Sequence, residues 1–390
     1  AGPMNEDNVD IDGLDRASLT NPVRRVLGRP GAEIFEWQTR PIAYRHVNPV
    51  SGGLYRVTGT AQDGGETIPW SLVLKITQPI PPHVARAAAE RLSLSPAEIV
   101  MVQDAYGWNR EANAYRSGVL DTLVDGLRAP HCYGVDDHSG PSIWLWLEDV
   151  DADPAPWSMA RYGLSARHLG AWNGVYLTGR RLPDAPWLCQ GGLRTWATIM
   201  VRPVVRAIRQ TEFWEQPLVR RAFPVPVAER LLALWQDHPA LLDTLDRLPH
   251  TFCHLDAFRP NLLSVGKPKD DNATVALDWA FVGTGAIGEE IGQLVAASLL
   301  HAGADVSRAA ELGETVLDGY LEGLRDASWR GYATPAGGAM PGWSGSVTAP
   351  QQRCAGACAR PVCPPVRRRR PIPRRTVPRM PPPRSSDARQ

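Results

Sequence analysis

His254, Asp256 and Asn261 stand in the spacing H-x-D-x-x-x-x-N, and an isolated Asp278 follows after a short polar break. Phosphoryl transfer from a magnesium nucleotide asks little covalent chemistry of a protein. It needs a carboxylate facing the acceptor hydroxyl and oxygen ligands for the metal. Asp256 fits the first role, and Asn261 and Asp278 fit the second.

The surrounding sequence should bring these residues together. Thr251-Phe252-Cys253 leads into the motif, and Leu262 to Val265 and Thr274 to Leu277 read as two short strands flanking the polar break Gly266 to Asn272. Paired as a hairpin, they would put Asn261 and Asp278 at one edge with Asp256 in the loop just before. Chemistry of this kind also needs a strand lysine on the α and β phosphates and a helix glutamate to hold it. Lys75 lies in the apolar run Ser71 to Ile76, where an unpaired charge would be costly. Glu111 lies in Trp108 to Tyr115, free of Gly and Pro and read as helix. Ahead of both, Ser51, Gly52 and Gly53 are small enough for backbone amides to approach phosphates. Neither the G-x-G-x-x-G nor the P-loop spacing is present there.

Taken together, His254 to Asn261, Leu277-Asp278-Trp279, Lys75, Glu111 and the apolar run Trp144 to Asp149 resemble the aminoglycoside phosphotransferase and choline kinase group, over roughly Phe35 to Trp329. The resemblance implies an α+β, two-lobed protein-kinase-like fold: a nucleotide-binding lobe over 1–146 with a twisted antiparallel sheet and the Glu111 helix, and a mainly helical catalytic and substrate lobe over 147–332. It implies ATP or GTP with Mg²⁺, Asp256 orienting or deprotonating an acceptor hydroxyl, and Asn261 and Asp278 on the metal. Trp146 and Glu148 would mark the interlobe hinge where backbone groups meet the nucleotide base. His254 would tie the catalytic loop to the Asp278 strand. Asp278-Trp279-Ala280 replaces D-F-G and no A-P-E follows, which argues against a protein substrate. Pro226 to His238 is expected as one amphipathic helix, with a shorter one starting at Pro239.

The 390 residues, 43% hydrophobic, suffice for a core in two lobes. No run approaches the roughly 18 to 20 apolar residues of a membrane span, no signal-peptide pattern opens the chain, and a cytoplasmic protein is expected. Ala1-Gly2-Pro3 before Met4 reads as a cloning remnant. Cys132, Cys189 and Cys253 should be buried free thiols. Cys354, Cys358 and Cys363 lack a zinc-site spacing.

From Ala333 the composition turns to Gly, Pro, Ser and Arg, which reads as a disordered Arg/Pro-rich tail over 333–390. Its eleven Arg and single Asp387 carry +10, so the remainder of a chain of net +1 carries −9. An acidic body suits a cationic small molecule; together with the resemblance this implies an acceptor such as an aminoglycoside antibiotic, and with it antibiotic resistance. Asp149, Asp151, Asp153, Glu289 and Glu290 are the candidate lining. The alternatives are a kinase of a metabolite such as choline or a sugar, and a catalytically idle kinase-like protein binding polyanions through the tail. Arg and Pro without interleaved aromatics offer no specific nucleic-acid site. A frameshifted extension is a further reading of the tail. The sequence does not set the oligomeric state.

Overall fold

The computed structural model describes residues 11–43, 48–138, 140–223, 226–265, 272–301 and 304–331. The chain divides into a compact unit, Ala1–Tyr332, and a second, Ala333–Gln390, all of which lies outside the described residues, as do the tail's three cysteines.

The compact unit opens with helix α1 (Arg16–Leu27), started by Asp15, whose carboxylate accepts the Ser18 amide, and stopped by Gly28 in the left-handed region. Strands β1 (Glu33–Pro41), β2 (Ser51–Asp63) and β3 (Glu66–Thr77) follow. Gly64 and Gly65, both at positive φ, make the two-residue turn between β2 and β3 that fits right-handed strand twist. Helices α2 (Pro82–Leu92), α3 (Pro96–Tyr106) and α4 (Arg110–Arg116) come next, then β4 (Leu127–Arg128), β5 (Cys132–His138) and β6 (Ser142–Glu148). Five of these strands form one antiparallel sheet in the order β1-β2-β3-β6-β5.

Alternation along β3 decides the faces of that sheet. Trp70, Leu72, Leu74 and Ile76 pack with Leu19 and Val23 of α1, Trp144 and Trp146. Val73 and Lys75 therefore point to the other face, where α4 contributes Ala112 to a cluster with Leu145 and Leu147.

The remainder is mainly helical: α5 (Met159–Leu177), β7 (Cys189–Gln190), α6 (Gly192–Thr195), α7 (Arg202–Ile208), α8 (Thr211–Glu215), α9 (Pro217–Ala222), α10 (Pro226–Arg247), β8 (His250–Cys253), β9 (Leu262–Ser264), β10 (Thr274–Ala276), β11 (Gly283–Ala286), α11 (Glu289–His301) and α12 (Ala309–Asp326). Its core gathers Trp172, Phe252, Trp279, Leu294 and Tyr320. Helices α5 and α12 approach closely because glycines face backbone: a Cβ on Gly323 would lie 1.9 Å from the Arg167 carbonyl oxygen.

One expected boundary is wrong. Pro239 does not start a new helix but sits inside α10, which runs unbroken to Arg247. Proline removes the N–H that would bond the Trp235 carbonyl, and the neighbouring His238 ring takes over that carbonyl while stacking on Trp235. Cys132 is also only half-buried, whereas Cys189 and Cys253 are buried, and all three are free.

Candidate active site

Strands β8 and β11 run antiparallel with Gly283 opposite Cys253. The loop that leaves β8 and the turn that enters β11 therefore lie at the same end of the pair, and they carry Asp256 and Asp278. Antiparallel β9 and β10 close the hairpin between them, and the Leu277 amide donates to the Asn261 carbonyl at 2.7 Å. Leu255 and Asp278 adopt positive φ, an uncommon conformation for residues with side chains that turns the chain sharply at both points.

His254 couples the two loops. Its Nε2–H donates to the Leu277 carbonyl at 2.8 Å, and Nδ1 accepts the Asp256 amide at 3.1 Å. Nε2 carries the ring's proton and Nδ1 must offer its lone pair, which requires the neutral imidazole. Burial above all lowers the ring's pKa to about 4, consistent with that state.

Lys75 reaches this edge from the sheet. Its Nζ lies 2.5 Å from Glu111 Oε2 and 2.8 Å from Asp278 Oδ1. Burial works against the ammonium, but the two carboxylates outweigh it and hold its pKa above the ordinary value. Burial likewise opposes ionisation of Asp278, which Lys75 overcomes, keeping that carboxyl below its usual range. Glu111 also accepts the Trp279 amide at 3.4 Å. Next to it, the buried Arg110 donates to the carbonyls of Asp104, Ala105, Trp187 and Ala280, so α4 grips the chain just after Asp278 through two adjacent side chains.

Asp256 is held differently. Asn261 Nδ2 donates to Oδ2 and Gln293 Nε2 to Oδ1, each at 2.7 Å. Burial, then the charge of Asp278, raises the Asp256 pKa to about 7 against the pull of those two hydrogen bonds.

Five sequence-selected residues, Lys75, Glu111, Asp256, Asn261 and Asp278, thus converge from four segments. Ser51, Gly52 and Gly53 form an irregular start to β2 beside them, with Gly53 opposite Ile76 and Leu54 opposite Lys75. Trp146 does not join: its side chain faces α1, and its main chain is paired on both sides, with Leu74 and Gly134. The Glu148 carboxylate is taken by Arg128 at 2.6 and 2.9 Å and by the His131 amide at 3.0 Å, which leaves only main chain for a ligand. Among the acidic candidates, Asp149 is occupied by Arg56 and Ser71, and Glu290 is fully buried, because both lie where the fold packs rather than in open cleft. Asp151 and Asp153 are exposed and Glu289 half-buried.

Arg110 and Gln293 escaped the sequence reading. The available signal was weak: an arginine beside Glu111, and polar Glu290, Gln293 and Ser298 at helical spacing in an otherwise apolar segment. A cavity of about 340 Å³ bordered by Arg194, Asp246, His250 and Glu289 lies at the start of β8, the end remote from Asp256.

A family model of phosphotransferase enzymes matches residues 102–334. The chain belongs to the phosphotransferase enzyme family. Its antiparallel sheet and mainly helical remainder make the phosphotransferase an α+β protein. Solved structures similar to this phosphotransferase include the amicoumacin kinase hAmiN in complex with AMP-PNP, Ca²⁺ and Ami, at 15% identity over 80% of this chain and 79% of that one, with a TM-score of 0.40. The aminoglycoside phosphotransferase APH(3″)-Id from Streptomyces rimosus, in complex with ADP and streptomycin, is 16% identical over 82% of this chain and 100% of that one, TM-score 0.40. The streptomycin-ATP-APH(2″)-IIa ternary complex shows 12% identity over 83% and 86%, TM-score 0.38. No curated protein matches the phosphotransferase in a sequence search.

Proposed function

We propose that this phosphotransferase moves the terminal phosphoryl group of ATP or GTP to a hydroxyl of a small, cationic molecule, with Asp256 facing the acceptor. The supporting observation is that two carboxylates in one site are held in opposite ways. Asp278 is kept ionised against Lys75, suited to a cation and phosphates, whereas the Asp256 carboxylate is gripped by two neutral amides. A carboxylate whose pKa is about 7 is matched to accepting a proton near neutrality.

The donors at this edge fit magnesium. Asn261 spends its NH₂ on Asp256, which leaves its amide oxygen, and Asp278 keeps Oδ2 beyond the atom bound to Lys75. Both are hard oxygen donors. Among the described residues no cluster of three or more His, Cys, Asp or Glu could hold a metal, and magnesium commonly takes only one or two protein ligands beside substrate phosphates and water. When bound it would neutralise charge on the phosphates during transfer.

Within that scheme Lys75 offers its remaining N–H to phosphate oxygens, and Glu111 keeps the lysine directed. The small residues at Ser51 to Gly53 leave room for phosphate beside β3. Asp256 accepts the hydrogen of the acceptor hydroxyl and orients its oxygen toward phosphorus. The acidic body, −9 outside the tail, favours a cationic acceptor such as an aminoglycoside, with Asp151 and Asp153 the candidate carboxylates that remain exposed. No helix among the described residues is long and apolar enough to cross a membrane. ADP and GDP release measured over a panel of aminoglycosides, choline and sugars tests the reading. Turnover with a cationic acceptor is expected, and turnover confined to neutral or anionic acceptors would overturn the substrate class.

A further inference from the structure

Helix α11 is an apolar helix with three polar contacts to a single loop. Glu290 Oε2 accepts the His254 amide at 2.8 Å, Gln293 Nε2 donates to Asp256 Oδ1 at 2.7 Å, and Ser298 Oγ accepts the Arg259 amide at 3.2 Å. Positions 290, 293 and 298 fall on one face of a helix with 3.6 residues per turn. They meet the loop before, at and after Asp256. Of the three, only Gln293 touches the carboxylate itself.

We propose that Gln293 is a positioning residue of this phosphotransferase, fixing the rotation of the Asp256 carboxylate that presents it to the acceptor hydroxyl. The inference rests on the reading of Asp256 given above. With Asn261 on Oδ2 and Gln293 on Oδ1, the carboxylate plane is set by donors on two different elements. Rotation about the Cβ–Cγ bond would break both bonds at once. Asn261 alone would leave Oδ1 free to swing, because one hydrogen bond fixes one oxygen and not the plane. Each oxygen retains acceptor capacity after one bond, so the grip does not block proton acceptance. Gln293 itself is half-buried, anchored between the buried Leu294 and the helix face that meets the loop. Its position is therefore set by the packed helix rather than by the loop that it steadies.

Gln293→Met keeps length and packing but removes the donor, and Gln293→His returns an N–H at similar reach. Steady-state release of ADP from MgATP is followed with the best acceptor of the panel, or with water where none turns over. Gln293→Met should lower kcat by about 10²-fold, the scale of a misplaced catalytic group, with both KM values and the melting temperature near wild type. Gln293→His should recover most of that loss. Crystal structures of the two variants give a readout independent of turnover: the Asp256 carboxylate should be rotated or disordered with Met and in place with His. Unchanged kcat in Gln293→Met, equal losses in Met and His, or an unmoved carboxylate in the Met variant would each overturn the inference. Asp256→Asn run in parallel separates the two ideas. If that variant keeps its rate, the reading of Asp256 has failed; if it is dead while Gln293→Met is not, only the role of Gln293 has.

Discussion

Lys75 Nζ sits 2.8 Å from Asp278 Oδ1, although 203 residues separate them in the chain. The contact joins the sheet to the hairpin that ends at Asp278, and Glu111 completes it from a third segment. Burial alone would lower the lysine's pKa, and these two carboxylates reverse that shift.

Substitution of Asp256 by Asn is expected to lower turnover by ~10²-fold or more, the usual contribution of a positioned base. Nucleotide affinity should stay close to wild type, since Lys75 and Asp278 remain. Stopped turnover together with equally weakened nucleotide binding would point to a collapsed site instead.

Asp278→Ala should weaken binding of Mg-nucleotide far more than binding of metal-free nucleotide, because on the proposed reading the remaining oxygen of Asp278 would hold the cation. Calorimetric titrations with and without magnesium decide the matter. Equal losses in both would remove Asp278 from the metal.

Activity should fall as pH drops through about 7, the value to which burial and Asp278 raise Asp256, since protonation removes the acceptor of the hydroxyl hydrogen. The profile of kcat/KM against pH should therefore carry an acid limb near neutrality. A limb near the ordinary aspartate value of 3.8 would show that burial and Asp278 do not raise Asp256 in this way.

Glu290 provides a separate pH test of stability. Burial raises its pKa from 4.5 to about 7, so the folded chain binds more protons than the unfolded chain between those values. Its contribution is fully present below pH 4.5 and is lost as pH climbs toward 7, by an amount on the order of 3 kcal/mol. Relative to Glu290→Gln, the wild type should thus lose melting temperature across that window. Parallel melting curves for the two proteins would contradict the assignment.

Removal of residues 333–390 should leave kcat and melting temperature unchanged and reduce only salt-dependent association with polyanions, given the +10 charge of that segment and its lack of any site residue. A fall in either quantity would mean that the segment docks on the body.

Local spacing alone determined much of this protein. The H-x-D-x-x-x-x-N run, the hairpin that follows and the lysine in an apolar strand are short-range patterns, because a turn or a two-residue alternation is set by neighbouring residues. The same reasoning failed at Pro239, where the local rule against proline in a helix was overridden by the His238 ring capturing the freed carbonyl. It also misplaced Glu290, since a charged residue in a sequence does not say whether its helix face meets solvent or the packed interior. Only the packing of α11 against the loop that carries Asp256 decided it. Gln293 and Arg110 belong to the same class: their partners lie 37 residues away, at Asp256, and 170 residues away, at Ala280. Nothing in a sequence spacing encodes such a meeting. It is produced when buried faces of distant segments exclude water together, and the polar groups trapped at their margins must then find one another.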